Sequence, residues 1–437
     1  MQKWLFKSID NSQLIIFRML FGFLIACECW GAIFTGWVRR GLIDPKFTFN
    51  FIGFDFLQPL PGNGMYFYFA VMGGLGICIM LGYRYILSCI LFTFLWGGVY
   101  LMQKSSYNNH YYLLWILSMI MCALPAHKDL SLDTKFQYSK TETTMPKWVW
   151  FLIVVQLVIV YTYASLAKLY PDWLNFTVAA KLMASKINYP VIGGVLQQKW
   201  AHQVITYTGI LFDMLIIPAL LFKPTRKIAF VIAVFFHLYN SVVLQIGIFP
   251  YLALAFCLFF FPAKKVRQWF YPKIKKSVVI QNSNYVKSSK VILAISIWLL
   301  VQIALPLRHW FIKGDVLWTE EGHRLSWRMM LRSKRASNVF YIVKKESSVK
   351  EKVILQDFLT IKQINSMAGK PDMIWQFAQY LKKAYNEEGL NISVYVENRT
   401  RVNGSESHQL IDPLVDLANA QWSYFSHNNW IIPPEKE

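Results

Sequence analysis

Apolar stretches long enough to cross a bilayer recur through the first 307 residues of this 437-residue chain. A helix needs about 20 mostly apolar residues to cross the hydrocarbon core, since each residue advances it by only about 1.5 Å. The mean hydropathy of the whole chain is +0.34. We therefore predict an α-helical polytopic membrane protein with about nine transmembrane helices. The predicted spans are 13–35, 65–83, 85–103, 110–126, 147–168, 204–222, 226–245, 246–262 and 290–307.

The residues after this region differ in character, because lysine and glutamate become common there. Apolar and polar residues alternate at 339–343 and 392–396, which predicts strands, and 372–388 has the apolar spacing of an amphipathic helix. We therefore divide the chain into a transmembrane helical bundle, 1–307, and a small C-terminal extramembrane α+β domain, 308–437.

The formal net charge of +21 is distributed unevenly between the predicted loops. Cytoplasmic loops of membrane proteins carry an excess of lysine and arginine, so this asymmetry predicts a cytoplasmic N-terminus and an extracytoplasmic C-terminal domain. The charge is thereby explained without a nucleic-acid partner. The cations assigned to the cytoplasm are Lys3, Lys7, Arg84, Lys128, Lys135, Lys140, Lys147, Lys223, Arg226, Lys227 and those between Lys264 and Lys290.

Cysteine and histidine patterns give no sign of a metal site. All six cysteines fall within predicted spans, no CxxC pair is present, and the eight histidines lack the spacing of metal ligands. We therefore predict no metal and no disulfide in the exposed part. The cysteines are Cys27, Cys29, Cys78, Cys89, Cys122 and Cys257.

Several polar residues fall within predicted spans, where each costs a few kcal/mol unless it is paired. We interpret Arg18 and Glu28 as an ion pair that packs helices. His237 is either a hydrogen-bonded core histidine or a site residue, and Asn240 shares its span. The sequence assigns no role to Asp213.

Three polar connections fall on the same predicted side of the membrane, next to the C-terminal domain. They are the loop 104–110, the lysine Lys168 at the end of an apolar run, and the connection 245–251. A lysine beside hydrocarbon either extends to the interface or is held neutral for chemistry. Capping of helices would explain any one loop, but their convergence predicts a site between bundle and domain.

Six segments, taken in order along the chain, resemble the vitamin K-dependent gamma-glutamyl carboxylase family. The resemblance is to its bacterial branch, which is described by a horizontally transferred transmembrane (HTTM) domain, and it covers nearly the whole chain. The segments are Phe17-Arg18, KSSYNNHYYL (104–113), ASLAKLYPDW (164–173), HLYNSVVLQIGIFPY (237–251), LSWRMM (325–330) and IDPLVDLANAQW (411–422).

The resemblance implies an enzyme of the bacterial inner membrane that oxygenates vitamin K hydroquinone, or menaquinol, to an epoxide. The strong base so formed removes a γ-proton from a glutamate in a peptide or protein, and the carbanion takes CO2. O2 and CO2 are therefore expected co-substrates. Lys168 matches the base that starts the family's cycle, and Asn109 with His110 matches the pair that polarises the quinone oxygen or the reacting glutamate.

The resemblance also implies which residues line the pocket for the quinone and the glutamate. Trp327, Met329 and Met330 match the family's lining segment, and Tyr107 and His237 are further expected contacts. Tyr107 stands where vertebrate members have tryptophan, and the vertebrate disulfide between an outer loop and the exposed domain cannot form. We expect no counterpart of the large vertebrate lumenal extension that helps hold a propeptide, so the sequence gives no support for recognition of a particular protein substrate.

Two other interpretations remain open from the sequence. One is a quinol oxygenase that forms the epoxide without carboxylation. The other is a non-enzymatic transporter or assembly protein that uses the same bundle, although no inverted repeat or pair of broken spans is visible.

Overall fold

The protein is described from a computed structural model that covers residues 2–272, 286, 288–345 and 349–434. Long helices form the part before residue 308. In chain order they are α1 (Ser12–Phe34), α2 (Gly64–Leu81), α3 (Tyr85–Met102), α4 (Asn109–Ala123), α5 (Lys147–Leu166), α6 (Lys199–Leu221), α7 (Arg226–Val242), α8 (Phe249–Phe256) and α9 (Ser289–Leu307).

Six of these helices, among the described residues, are long and apolar enough to cross a membrane: α1, α2, α3, α5, α6 and α9. The other three predicted spans correspond to shorter helices. The helix α4 has 15 residues and α7 has 17, while α8 has 8 and continues as a 3-10 turn at Cys257–Phe260. The prediction of membrane-spanning helices is thus confirmed for six, and the total of about nine stays a prediction.

Glycines allow α1 and α2 to pack at backbone distance. A Cβ atom added to Gly22 would lie 2.3 Å from the Met80 backbone nitrogen, and one added to Gly76 would lie 2.8 Å from that of Ala26. No side chain fits in that space, so these positions require glycine. Gly76 therefore serves helix packing.

Shorter elements complete the bundle. Two three-residue strands, β1 (Ser8–Asp10) and β2 (Thr144–Pro146), pair antiparallel at the end of the bundle that holds the N-terminus. The short helices are Gln2–Leu5, Leu132–Lys135, Pro171–Leu174, Thr177–Ala184, Gly193–Leu196, Ala263–Phe270 and Val316–Thr319, and a π-helical turn spans Arg39–Ile43.

The C-terminal part contains a three-stranded antiparallel sheet in the order β4-β3-β5, covered by the helix α10 (Pro371–Glu387). The strands are β3 (Lys334–Lys344), β4 (Lys350–Lys352) and β5 (Ile392–Val402), and a short helix spans Ile361–Met367. Phe340 of β3 pairs with Val396 of β5, and its ring centroid lies 5.0 Å from that of Phe377 on α10. The predicted strands and amphipathic helix are confirmed.

The C-terminal part rests on one end of the bundle. Lys104, between α3 and α4, forms an ion pair with Asp372 of α10, and Asn403 donates to the carboxylate of Asp172, after α5, at 2.8 Å. Phe49, between α1 and α2, belongs to the same hydrophobic core as the sheet. The connections after α1, α3 and α5 therefore lie on the same side as the C-terminal part.

Arg18 and Glu28 do not form the ion pair that we expected. Arg18 donates to the backbone carbonyls of Ala126, Asp129 and Leu130 at 2.7–3.2 Å, at the end of the bundle opposite the C-terminal part. Glu28 instead accepts a hydrogen bond from the Tyr111 hydroxyl at 2.7 Å. Ten residues of helix separate Arg18 from Glu28 by about 15 Å along the helix axis. Each side chain therefore binds a nearer partner on another segment.

Candidate active site

A cavity of about 430 Å³, hereafter the apolar cavity, lies between α5, α6 and α7 at the end of the bundle nearest the C-terminal part. Most of its lining is aliphatic, aromatic or methionine. The polar side chains on its wall include His110, Lys168, Asp213, His237 and Asn240. It therefore has the composition of a small-molecule site, an apolar volume with a few polar groups.

Local sequence explains why Lys168 stands at this wall. Helix α5 ends at Leu166, and Pro171 begins the next short helix, which holds Tyr170 in an extended conformation. Lys168 is therefore left in the tight turn between two helices. Its side chain is buried, and its ammonium forms an ion pair with Asp213 and lies 3.4 Å from the Ala164 carbonyl.

Asp213 is a residue to which the sequence alone assigns no role. It lies midway along α6 and is buried together with Thr206 on the face that packs against α5. A carboxylate at membrane depth signals a partner or a site, but its partner is 45 positions away in sequence, so pairing with Lys168 required the fold.

Two histidines share the cavity wall through an aromatic neighbour. The Phe249 ring centroid lies 4.5 Å from that of His110 and 5.8 Å from that of His237. The Nε2 atom of His237 lies 3.4 Å from the Tyr161 hydroxyl, and its Nδ1 atom is buried with no partner among the described residues. His237 is thus a buried ring with one nitrogen free to bind a ligand.

The polar side chains at the start of α4 have two different roles: some stabilise the fold, and one reaches the cavity. Asn108 caps α4, because its side chain accepts from the Tyr111 backbone N–H at 2.7 Å. Asn109 accepts from the Tyr107 hydroxyl at 3.0 Å and donates to the Arg328 carbonyl at 3.0 Å. Tyr107 and Asn109 therefore lie behind the cavity wall and hold the segment 325–330, while His110 reaches the wall itself.

The segment 325–330 is held in a costly backbone conformation. Leu325, Trp327 and Met330 have φ values of +60°, +57° and +51°, a region that side chains other than glycine rarely adopt. Met329 and Met330 line the apolar cavity. Trp327 is fully buried away from it, with its ring 4.8 Å from that of Tyr112. The structure thus brings His110, Lys168, His237, Met329 and Met330 together and sets Tyr107, Asn109 and Trp327 behind them.

Comparison with protein families gives two matches. Residues 6–264, more than half of the chain, match the HTTM domain, and residues 287–437 match the vitamin K-dependent gamma-carboxylase lumenal domain. The chain belongs to the vitamin K-dependent gamma-carboxylase family. No solved structure matches it.

A buried ion pair, between Lys104 and Asp372, joins the lumenal-domain part of this carboxylase-family protein to the bundle, and further buried ion pairs lie within the lumenal-domain part. Asp372 pairs with Lys104 and Arg324, and Glu320 pairs with Arg332 and Lys334. Burial opposes ionisation of Glu320, but Arg332 and Lys334 outweigh it and lower its pKa to about 2. Burial lowers the pKa of Lys104 to about 8 even beside Asp372.

Within the described residues, no group of three or more histidine, cysteine, aspartate or glutamate side chains could hold a metal ion.

Proposed function

We propose that this protein is an integral membrane gamma-glutamyl carboxylase that couples oxygenation of a reduced vitamin K-type quinone to carboxylation of glutamate. One observation carries the proposal: Lys168, Asp213, His110 and His237 lie on the wall of a single apolar cavity. Family membership supplies the reaction class, and the cavity supplies a place where this chain's own residues could perform it.

The cavity suits a lipid-soluble reactant. Val204 of α6 and Ile232 and Phe235 of α7 line it and are also 48–70% exposed on the surface of the bundle. An opening between these helices would admit a quinone from the bilayer without passage through water. Methionines such as Met329 and Met330 adapt well to a flat aromatic ring.

Histidine and asparagine side chains provide hydrogen bonds for the quinone oxygens. The free Nδ1 atom of His237 and the ring of His110 are the proposed contacts, with Asn240 beside them. Asn109 and Tyr107 would act one step removed, because they hold the segment that carries Met329 and Met330. Trp327 would support the same segment through its contact with Tyr112.

Lys168 is the proposed base for the first proton transfer, and Asp213 is its partner. A carboxylate neighbour favours the ammonium form of Lys168, and an ammonium cannot accept a proton. Lys168 can therefore act as a base only when its proton has moved to Asp213 and left a neutral amine. In a buried pair, an amine beside a carboxylic acid has the same total charge as an ammonium beside a carboxylate. Movement of one proton along the Lys168–Asp213 contact would thus prepare the amine without burying a net charge.

Oxygenation of the bound reduced quinone supplies the strong base that removes the glutamate γ-proton, after which the carbanion adds to CO2. Such a base survives only where water is excluded. The apolar lining of the cavity, with α5, α6 and α7 packed around it, provides that exclusion.

The same proposal includes the membrane topology. We propose that α4, α7 and α8 also cross the membrane, giving nine spans, and that the chain divides into a bundle, 1–307, and an extracytoplasmic domain, 308–437. Alternation of the connections between the two ends of the bundle supports nine crossings. The cation asymmetry supports a cytoplasmic N-terminus, and the resemblance to the bacterial branch of the family supports a bacterial inner membrane.

The test is one assay of purified protein with reduced vitamin K, O2, labelled bicarbonate and a glutamate peptide. Epoxide together with labelled peptide supports the carboxylase. Epoxide without label would identify a quinol oxygenase, and neither product from folded protein would favour the transporter or assembly class. A parallel reaction with menaquinol identifies the preferred quinone.

A further inference from the structure

A second cavity, of about 440 Å³, lies on the other side of the segment 325–330, and we name it the polar cavity. Ser326 and Arg328 line it, whereas Met329 and Met330 line the apolar cavity. The residues of the turn after α5 also line different cavities: Ala167 and Leu169 line the polar cavity, and Lys168 lines the apolar cavity. The two cavities therefore share walls one chain segment thick.

Among the described residues that line the polar cavity, Arg328 is the one arginine, and it has an incomplete set of partners. Its guanidinium donates from one terminal nitrogen to His309 Nε2 at 3.3 Å, and its Nε atom is buried with no partner among the described residues. His309 Nδ1 donates to the Pro306 carbonyl at 2.7 Å, so its Nε2 is the acceptor. Within 4 Å, no carboxylate of the described residues pairs with Arg328.

The charges around Arg328 favour an added anion. Burial and the nearby Arg332 lower the pKa of Arg328 to about 10. Three buried carboxylates near this junction already have partners: Glu320 and Asp372 each pair with two cations, and Glu321 contacts His427 and Asn428. Asp315 also lines the cavity, but it is exposed and its oxygen accepts from the Leu317 N–H at 2.9 Å. A ligand carboxylate would meet an electropositive wall with donors to spare.

We propose that the polar cavity is the entry subsite for an acidic peptide and that Arg328 binds the carboxylate of its glutamate. This inference rests on the proposed function. A planar guanidinium matches a carboxylate with two parallel hydrogen bonds, and a volume of about 440 Å³ holds a side chain with part of its backbone. The glutamate would then be held across the shared wall from Lys168 and the quinone site.

Direct binding tests the subsite without any turnover. Full-length protein in nanodiscs is titrated with a fluorescent peptide that contains glutamate and with the same peptide containing glutamine. We expect the glutamate peptide to bind about 10- to 100-fold more tightly, the range for a charge-assisted pair. Arg328→Gln should remove this preference, Arg328→Lys should leave part of it, and Arg335→Gln, at an exposed arginine of β3, should keep it.

Each outcome decides something. If Arg328→Gln retains the full preference, the assignment is wrong. Absence of carboxylation by wild-type protein, with the glutamate preference intact, would reject the proposed function and leave the subsite standing.

A wild-type measurement covers the case in which Arg328→Gln does not fold. A peptide with a photoreactive residue beside its glutamate is crosslinked to native protein, and the labelled residues are mapped by mass spectrometry. Labels within 309–317 and 163–171, suppressed by excess glutamate peptide and not by the glutamine peptide, support the subsite. Labels confined to α6 and α7 would overturn it.

Discussion

The ammonium of Lys168 and the carboxylate of Asp213 form a buried ion pair across the gap between the end of α5 and the middle of α6. This contact changes how the lysine should be understood. A solvent-seeking lysine would extend to the interface, whereas this one is held inward on the wall of the apolar cavity. Its reactivity therefore depends on a partner in another helix.

The first prediction concerns proton loss at Lys168. Arginine keeps the positive charge and can still pair with Asp213, but it cannot lose its proton at any relevant pH. Lys168→Arg should therefore abolish both epoxide formation and carboxylation in folded protein. Lys199→Arg, at an exposed lysine of the same side, serves as the matched control and should retain both activities. Full quinone oxygenation by Lys168→Arg would show that Lys168 is only a structural cation.

The second prediction concerns Asp213 as a positioning residue. Asp213→Asn removes the proton-sharing partner but keeps the size of the side chain, so we expect epoxide formation to fall by at least tenfold while quinone affinity changes little. Asp213→Glu should restore part of the rate, since it returns the carboxylate. The control is Asp44→Asn, in an exposed pair with Arg39. An unchanged rate with weaker quinone binding would contradict this role.

The third prediction concerns His110. If it hydrogen-bonds the reacting oxygen, His110→Ala should lower turnover by about 10²–10⁴, the usual range for a positioned acid-base group. His202→Ala removes a histidine that binds only the Leu196 carbonyl outside the cavity lining, and it should be nearly silent. The measurement is the turnover of purified variants with matched thermal stability. Equal rates for His110→Ala and wild-type protein would show that His110 only packs against Phe249.

Local patterns account for what the sequence predicted well. The alternation at 339–343 and 392–396 and the helical spacing at 372–388 are set by neighbouring residues, and they became β3, β5 and α10. The short helices α4 and α8 show the limit of this reasoning. Apolar composition indicates burial, but only the fold decides whether a helix of 15 or 8 residues crosses the bundle.

Distant partners account for what the sequence missed. The two terminal nitrogens of Arg18 donate to carbonyls more than 100 positions away, and no pattern distinguishes those carbonyls from any others. Asn109 donates to the carbonyl of Arg328, which lies 219 positions further along the chain. The family resemblance nevertheless identified three polar residues on the wall of the apolar cavity, His110, Lys168 and His237. A family motif can mark residues that the fold brings together, although it does not describe their contacts.

The fourth prediction concerns acid stability. The ordinary glutamate pKa of 4.5 is lowered to about 2 at Glu320, so its pairs stabilise the folded protein fully above about pH 4.5. This contribution, on the order of 3 kcal/mol, is lost as the pH falls from 4.5 through 2. Glu320→Gln should flatten the fall in melting temperature between pH 6 and pH 3. Glu397→Gln, in an exposed pair with Lys350, should leave the profile unchanged.

The fifth prediction concerns orientation, tested with two exposed positions at opposite ends of the bundle. Ser426→Cys lies in the C-terminal part beside the connections after α1 and α3, whereas Lys140→Cys lies in the connection that precedes β2. With the N-terminus in the cytoplasm, a charged maleimide that cannot cross membranes should label Ser426→Cys in intact spheroplasts. It should reach Lys140→Cys only after permeabilisation, while the natural cysteines within helices stay unreactive in lipid. The opposite pattern would invert the topology and would move the peptide subsite to the cytoplasm.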